Sequence, residues 1–497
     1  MPHPEDAVSL LRVSAATTVL VANRGPVSFR LGDDGLLHAV RGGGGLVSGF
    51  AGADTTGRAL VVCAALSDTD RQAVRRTARG RLDEVVDPSE LGGTPIRMLE
   101  LDPTTFARAY HGIANSTLWF AHHMLWSAPS RPVFDHASVR DWLAYTAYNQ
   151  AFADAVAEEA AEGARILVQD YHLTLVPAML RARRPDLRIG HFSHTPWAAP
   201  DYFRFLPEAM GRSVLEGLLG ADSVGFHTRR WAEAFARCCA DVLGATVTAR
   251  SEDGPLAVQH QGRVVRIDVN PLGVDVPGLQ ARAAERDVEV RLAALREQLG
   301  DCKVLVRIDR TELSKNIVRG LLAFRELLAT HPEWRERVVH LALAYPSRHD
   351  LPEYRAYTAE VMSTAAAIND ELGTPGWMPV HLYVEDDFAR SLAAYRLADV
   401  LLVNPLRDGM NLVAKEGPVI TERGLALVLS REAGAVDELG ADSLVVNPFD
   451  ITGTAEALHR ALCLEDGDRL ARCERLAKAA GAHPPAEWLR NQLDALA

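Results

Sequence analysis

The stretch "DVLLVNPLRDGMNLVAKEG", residues 399–417, joins an apolar run to a helical pattern through a short polar loop. Residues 399–405 are strand-length and rich in Val and Leu, and Asn404-Pro405 ends the run because proline has no N–H for a sheet ladder. Arg407, Asp408 and Gly409 make the turn, and the segment from Met410 through Asn411 and Leu412 to Glu416 reads as the opening of a helix. A strand, a polar loop and a helix in that order are the repeating piece of a parallel α/β sheet. A helix start carries free N–H groups and a partial positive charge, so an anion or a hydroxyl-rich group is expected there. Asp408 as a simple N-cap is the competing account. It leaves Arg407, Asn411 and Glu416 unexplained.

Similar units extend outward in both directions. Strand-like runs occur at 303–309, 338–345, 379–385, 425–430 and 443–448, with helical patterns at 316–337 and 351–373 between them. A first series precedes these, at 17–23, 59–66, 164–170, 188–194 and 222–228, with a helical pattern at 141–163. Residues 264–278, with two prolines, read as the linker between the series. The alternation predicts two Rossmann-like, doubly wound parallel-sheet α/β domains, 1–268 and 269–475, facing across an interdomain cleft.

Bulk composition agrees with this size. A chain of 497 residues exceeds one compact core. Its 48% hydrophobic and 24% charged residues are ordinary for a globular protein. The net charge of −12 argues against a nucleic-acid partner or an anionic membrane surface. Six cysteines without a C-x-x-C pair read as reduced thiols. The first residues lack a basic region followed by a signal core, and no run is membrane-length, so a cytoplasmic location is expected.

In parallel sheets, ligands sit beyond the carboxyl ends of strands. That rule singles out Arg24, Asp170 and His194 in the first half, and Arg310, Lys315 and Arg348 in the second. An isolated strand-end arginine is usually solvated, and an isolated histidine is usually structural. Together they form a plausible set for a phosphorylated, hydroxyl-rich ligand, with the cations neutralising a diphosphate. The glycine run "RGGGGLVSGF" (41–50) can present N–H groups to phosphate, or serve only as a flexible turn.

The whole pattern resembles the trehalose-6-phosphate synthase family of GT-B glycosyltransferases, family GT20. The resemblance rests on "ANRGPV" (22–27), "YHGIANSTLW" (110–119), "VQDYHLTLVP" (168–177), "RIGHFSHTPW" (188–197), "GFHTRRW" (225–231), "NPLGVD" (270–275), "DGMNLVAKE" (408–416) and "ELGADSLVVNPFD" (438–450). It implies a retaining transferase working by front-face attack. It also implies an acceptor site at Arg24, Tyr110, Trp119, Asp170 and Arg348. The implied donor site is Gly44, Gly45, His194, Arg310, Lys315, Asp408, Gly409, Met410, Asn411, Leu412 and Glu416. Asp170, His194, Arg310 and Lys315 would carry the chemistry, and a last helix in 476–497 would cross back onto the first domain. Neither a metal nor a cofactor is implied, and a homodimer is the base-rate expectation.

Two departures stand out. The family pattern R-L-D-Y-x-K-G reads "RTELSKN" here (310–316), and a tryptophan-bearing strand reads "ALVVCAAL" (59–66). These departures resemble the pseudo-glycosyltransferase branch, of the validoxylamine A 7′-phosphate synthase type from validamycin biosynthesis. That resemblance implies GDP-valienol and validamine 7-phosphate as substrates, a C–N bond and GDP as product. Glucose transfer to glucose 6-phosphate is the alternative, and a non-catalytic sugar-phosphate sensor the second alternative.

Overall fold

The structure, a computed structural model, describes residues 15–496 apart from 33–34, 42–58, 85, 88–90, 92 and 250–253. Gly44 and Gly45 lie outside the described residues.

The second half folds around a six-stranded parallel sheet. Its order is Val380–Tyr383, Val338–Tyr345, Lys303–Arg310, Val400–Val403, Ala426–Ser430, Leu444–Val446. In chain order this is 3-2-1-4-5-6, two βαβαβ halves back to back. Val400–Val403 and Ala426–Ser430 are buried along their whole length, as strands covered by helices on both faces must be. The helix Ile317–Thr330 buries Ile317, Leu321, Phe324, Leu327 and Leu328 along one stripe. It stops short of the expected 337 because Pro332 follows, and Pro332–Trp334 forms a 3-10 turn instead.

The first half carries a nine-stranded sheet. Its order is Ile96–Leu99, Ala59–Ala64, Ala16–Val21, Ala160–Gln169, Arg188–Ser193, Ser223–Phe226, Arg263–Val269, Leu256–His260, Thr246–Ala249. The first seven are parallel to their neighbours, and the last two close the edge antiparallel. The sheet is therefore mixed rather than wholly parallel. The expected linker at 264–278 begins as a strand, because "RVVRIDV" alternates and buries Val265 and Ile267. Gln261 and Gly262, both at positive φ, turn the chain back into it.

The expected helix at 141–163 runs instead over His136–Glu159. Asp135 caps its start, accepting from the N–H groups of Ala137 and Ser138. Its end is closed from a distance: the Arg184 guanidinium donates to the carbonyls of Ala157, Ala160 and Ala161 at 3.0, 3.1 and 3.0 Å. The chain then enters the strand Ala160–Gln169 directly. At the other end of the protein, the helix Pro485–Asp494 sends Trp488, Leu489 and Leu493 into a core shared with Leu20, Val61 and Phe192 of the first sheet. No described helix is long and apolar enough to cross a membrane.

Candidate active site

Both sheets reverse their strand order beside their first strand. Ala16–Val21 lies between Ala59–Ala64 and Ala160–Gln169, and Lys303–Arg310 between Val338–Tyr345 and Val400–Val403. Loops leaving adjacent strands at such a point diverge and open a crevice. Arg24 and Asp170 follow the two strands at the first reversal, and Arg310, Lys315 and Asp408 those at the second.

The two crevices meet at Gly409. A Cβ at this position would lie 1.9 Å from the His194 carbonyl oxygen, so only glycine allows the two loops to approach this closely. Trp231 Nε1 donates to the Gly409 carbonyl across the same contact at 3.0 Å. Arg407 also belongs to this seam. It donates to the Trp197 carbonyl at 3.1 Å and lies over the Trp231 ring, away from the Asp408 carboxylate.

On the second-domain side, Lys315 Nζ meets Asp408 Oδ2 at 2.6 Å, and Asn411 Nδ2 donates to the same oxygen at 3.1 Å. Burial opposes both charges, but their attraction wins: the carboxyl of Asp408 is held below its ordinary value and the ammonium of Lys315 above. The helix here starts at Val413, not at Met410. Asn411, at φ 85°, is left-handed and accepts from the Ala414 N–H at 3.1 Å, so Met410–Leu412 stay in the loop. Glu416 accepts from the Tyr395 hydroxyl at 3.0 Å, and burial raises its pKa. Met410 is buried in the second core, and Leu412 packs in the seam against the first.

The first-domain side is an aromatic wall. Residues Arg108–Leu118 form a π-helix, a form that recurs at functional sites. It sets Tyr110 against His172, ring centres 5.6 Å apart, and delivers the buried Trp119. Arg348 reaches this wall from the second domain. Its guanidinium lies 4.1 Å from the Trp119 ring centre and donates to the hydroxyls of Tyr354 at 2.7 Å and Tyr171 at 3.1 Å. Arg310 is half exposed to the cleft and pairs with Glu312 Oε1 at 3.2 Å. Arg24 is exposed at the end of its strand.

Asp170 stands at φ 69° and accepts from the His194 N–H at 3.1 Å. Burial pushes its carboxyl up to about 6. Burial also lowers the imidazole of His194, to about 3, so the ring is neutral. Its Nε2 lies 2.8 Å from Gln169 Oε1 and is therefore engaged within the protein.

Several contributors were not singled out from sequence. Tyr171 and Tyr354 orient Arg348, and nothing but their closeness in space reveals it. Lys415, within the opening stretch, is fully buried and joins Leu272 O at 2.7 Å to Glu438 Oε2 at 2.5 Å. It ties together three of the recognised motifs. His331, Glu333 and His459 also gather ligand-type atoms within 4.8 Å of one another. Trp334 Nε1 donates to His459 Nδ1 at 3.0 Å, which places the ring proton on Nε2 and withholds that ring from a metal.

Two Rossmann-like domains facing across a cleft, with Arg310, Lys315 and a helix start beyond the switch point of the second sheet, make the GT-B architecture of a class of transferases. The chain matches Glycosyltransferase family 20 over residues 17–497, and it belongs to that family. It is 37% identical to the trehalose-6-phosphate synthase of Mycobacterium avium over 492 residues, 96% of this chain and 95% of that protein. It is 34% identical to a bifunctional trehalose-6-phosphate synthase/phosphatase of Thermoproteus tenax, and spans 62% of its length. Among solved structures, the Escherichia coli protein bound with UDP-2-fluoro glucose superposes with a TM-score of 0.82 at 27% identity, over 96% of this chain and 99% of that one. The trehalose-phosphate synthase of Burkholderia xenovorans in complex with glucose-6-phosphate does so at 0.81 and 28%, over 97% and 100%.

These relatives correct the expectation of a validamycin-type pseudo-glycosyltransferase that forms a C–N bond from GDP-valienol and validamine 7-phosphate. Two departures carried that expectation. Glu312 retains an acidic side chain in that segment, while Leu313 lines, with Asn316 and Tyr357 and with His123 and Arg230 of the first half, a cavity of about 740 Å³ between the domains. The strand Ala59–Ala64 is buried within the sheet throughout.

Proposed function

We propose that this chain is a trehalose-6-phosphate synthase-type glucosyltransferase. It would move glucose from a nucleotide-glucose to glucose 6-phosphate, releasing the nucleoside diphosphate and trehalose 6-phosphate. The observation that carries this reading is the pair of facing crevices. One has Arg310, Lys315 and a helix start for a diphosphate, and the other has Arg348 held over the aromatic wall for a sugar phosphate. A division of the chain at 268/269 and 475/476 goes with it: acceptor side first, donor side second, returning helix last.

Arg310 and Lys315 neutralise the leaving diphosphate, assisted by the N–H groups near Asn411. Glu416 accepts from the ribose hydroxyls, and Asp408, Met410 and Leu412 shape the pocket for the donor sugar. Arg24, Tyr110, Trp119 and Arg348 hold the acceptor, and Asp170 accepts from its hydroxyls. A front-face course is favoured because Asp408 Oδ2 is already occupied by Lys315 and Asn411 and is poorly suited to attack carbon. The departing phosphate oxygen then takes the proton of the incoming hydroxyl, so no separate base is needed.

The test is incubation with UDP-glucose or GDP-glucose and glucose 6-phosphate, with mass detection of trehalose 6-phosphate. The preferred nucleotide gives the base. No disaccharide phosphate from either donor would overturn the reading.

A further inference from the structure

Arg310, Lys315 and Arg348 of the proposed cleft have carboxylate counter-ions, and these are shared unequally. Lys315 has Asp408 to itself. Arg310 and Arg348 share Glu312, whose Oε1 lies 3.2 Å from Arg310 Nη1 and 3.8 Å from Arg348 Nη1. The Ser347 hydroxyl donates to the same oxygen at 2.9 Å. Glu312 is wholly buried, whereas the Arg310 side chain is 52% exposed. The carboxylate therefore sits behind the two arginines, not in the cleft. Glu312 Oε2 is buried with no hydrogen-bond partner among the described residues. A buried carboxylate with one oxygen unpaired is costly, and its attraction to the two arginines offsets that cost.

We infer that Glu312 is an internal counter-ion shared by the donor and acceptor arginines, standing in for the two substrate phosphates and weakening the hold on both. The inference rests on the proposed roles of Arg310 and Arg348. An arginine with a carboxylate behind it offers an incoming phosphate less net charge than a bare one. The empty cleft then carries two oriented guanidiniums without the mutual repulsion of unpaired cations. After transfer, the same carboxylate recaptures Arg310 as the nucleoside diphosphate leaves. Glu312 touches neither substrate and acts as a positioning residue. Its burial opposes ionisation, but Arg310, Arg348 and Lys315 override this and hold the carboxyl at about 2, so the counter-ion persists at working pH.

The test is calorimetric titration of the full chain with UDP or GDP alone and with glucose 6-phosphate alone, beside steady-state kinetics. Glu312→Gln is expected to bind each anion about three- to thirtyfold more tightly, the range for one charge removed from partly buried pairs. Its kcat is expected to fall together with KM, because product is held longer. A residue needed only for folding would lower the melting temperature and the apparent kcat and leave KM and anion affinity unchanged. Glu312→Asp keeps the charge but draws it back from both arginines, so a smaller tightening of the same sign is expected. Equal or weaker anion binding by folded Glu312→Gln overturns the inference. Should that variant not fold, equal or weaker binding by Glu312→Asp does so. Wild-type protein that binds neither anion removes the reading of the site, and the inference with it.

Discussion

Arg310 owes its proposed role to its place at the end of a central strand, with half its side chain in the cleft. Arg310→Ala is expected to lower kcat on the order of a hundred- to a thousandfold, as loss of one transition-state donor does. Initial rates at saturating substrates check this, and near-wild-type turnover would reject the role. Asp170 makes a second prediction, on pH. Its folded pKa, about 6, is raised above the ordinary 3.8. The native state thus binds the proton more tightly than the unfolded chain. Stability falls as pH rises from 3.8 to 6, by up to about 3 kcal/mol, and stays lower above that. Asp170→Asn should therefore melt higher than wild type at pH 7. If Asp170 has its proposed role, the variant's activity should lose the acid limb near pH 6, where this carboxylate protonates. A variant no more stable than wild type at pH 7 would count against the buried charge. The strand-end rule found Arg24, Asp170, His194, Arg310, Lys315 and Arg348 in sequence. It could not find Tyr171, whose link to Arg348 spans two domains and exists only in space, or Tyr354, which meets Arg348 from six positions further on in the next helix.

At the scale of elements, strands were readable because their apolar runs are continuous, and 59–64, 188–193, 303–310 and 338–345 fall where those runs lie. Ends were less readable. The long helix stops at Glu159 because Arg184, 25 positions on, takes its last carbonyls. The π-helix at Arg108–Leu118 follows the helix Pro103–Ala107 without a break and has no side-chain cap to mark its start. The donor-side helix Val413–Ile420 is short and holds Pro418, so it needs an anchor, and Lys415 is that anchor. Removing one member of a buried ion pair leaves the other charge unpaired. Lys415→Met is therefore expected to cost about 3–5 kcal/mol in urea unfolding. Adding Glu438→Gln should recover at least about 1 kcal/mol, which a double-mutant cycle reads directly. Strict additivity would mean that the two side chains do not hold the helix together.

Among the described residues, contacts that join the two halves include the Gly409–His194 approach, the Arg348 reach onto the aromatic wall, and the returning helix Pro485–Asp494. The third is built on an apolar core. Trp488 is 2% exposed, meets Phe192 edge-on at 4.8 Å, and donates from Nε1 to the Asn270 carbonyl at 3.1 Å. Its ring centre is 5.6 Å from that of His194, so the last helix supports the strand-end loop against which Gly409 packs. Trp488→Ala is expected to cost about 3–5 kcal/mol, the range for an aromatic removed from a core. It should also lower kcat, since His194 and the Gly409 contact lose their backing. Trp488→Phe keeps most of the packing and loses the hydrogen bond, so about 1 kcal/mol and a smaller kinetic effect are expected. Urea unfolding of both variants, with kcat measured at a temperature where each is folded, separates the two contributions. If Trp488→Ala unfolds at the wild-type midpoint, the helix does not clasp the two halves. If it is destabilised but turns over normally, the clasp is structural and His194 does not depend on it.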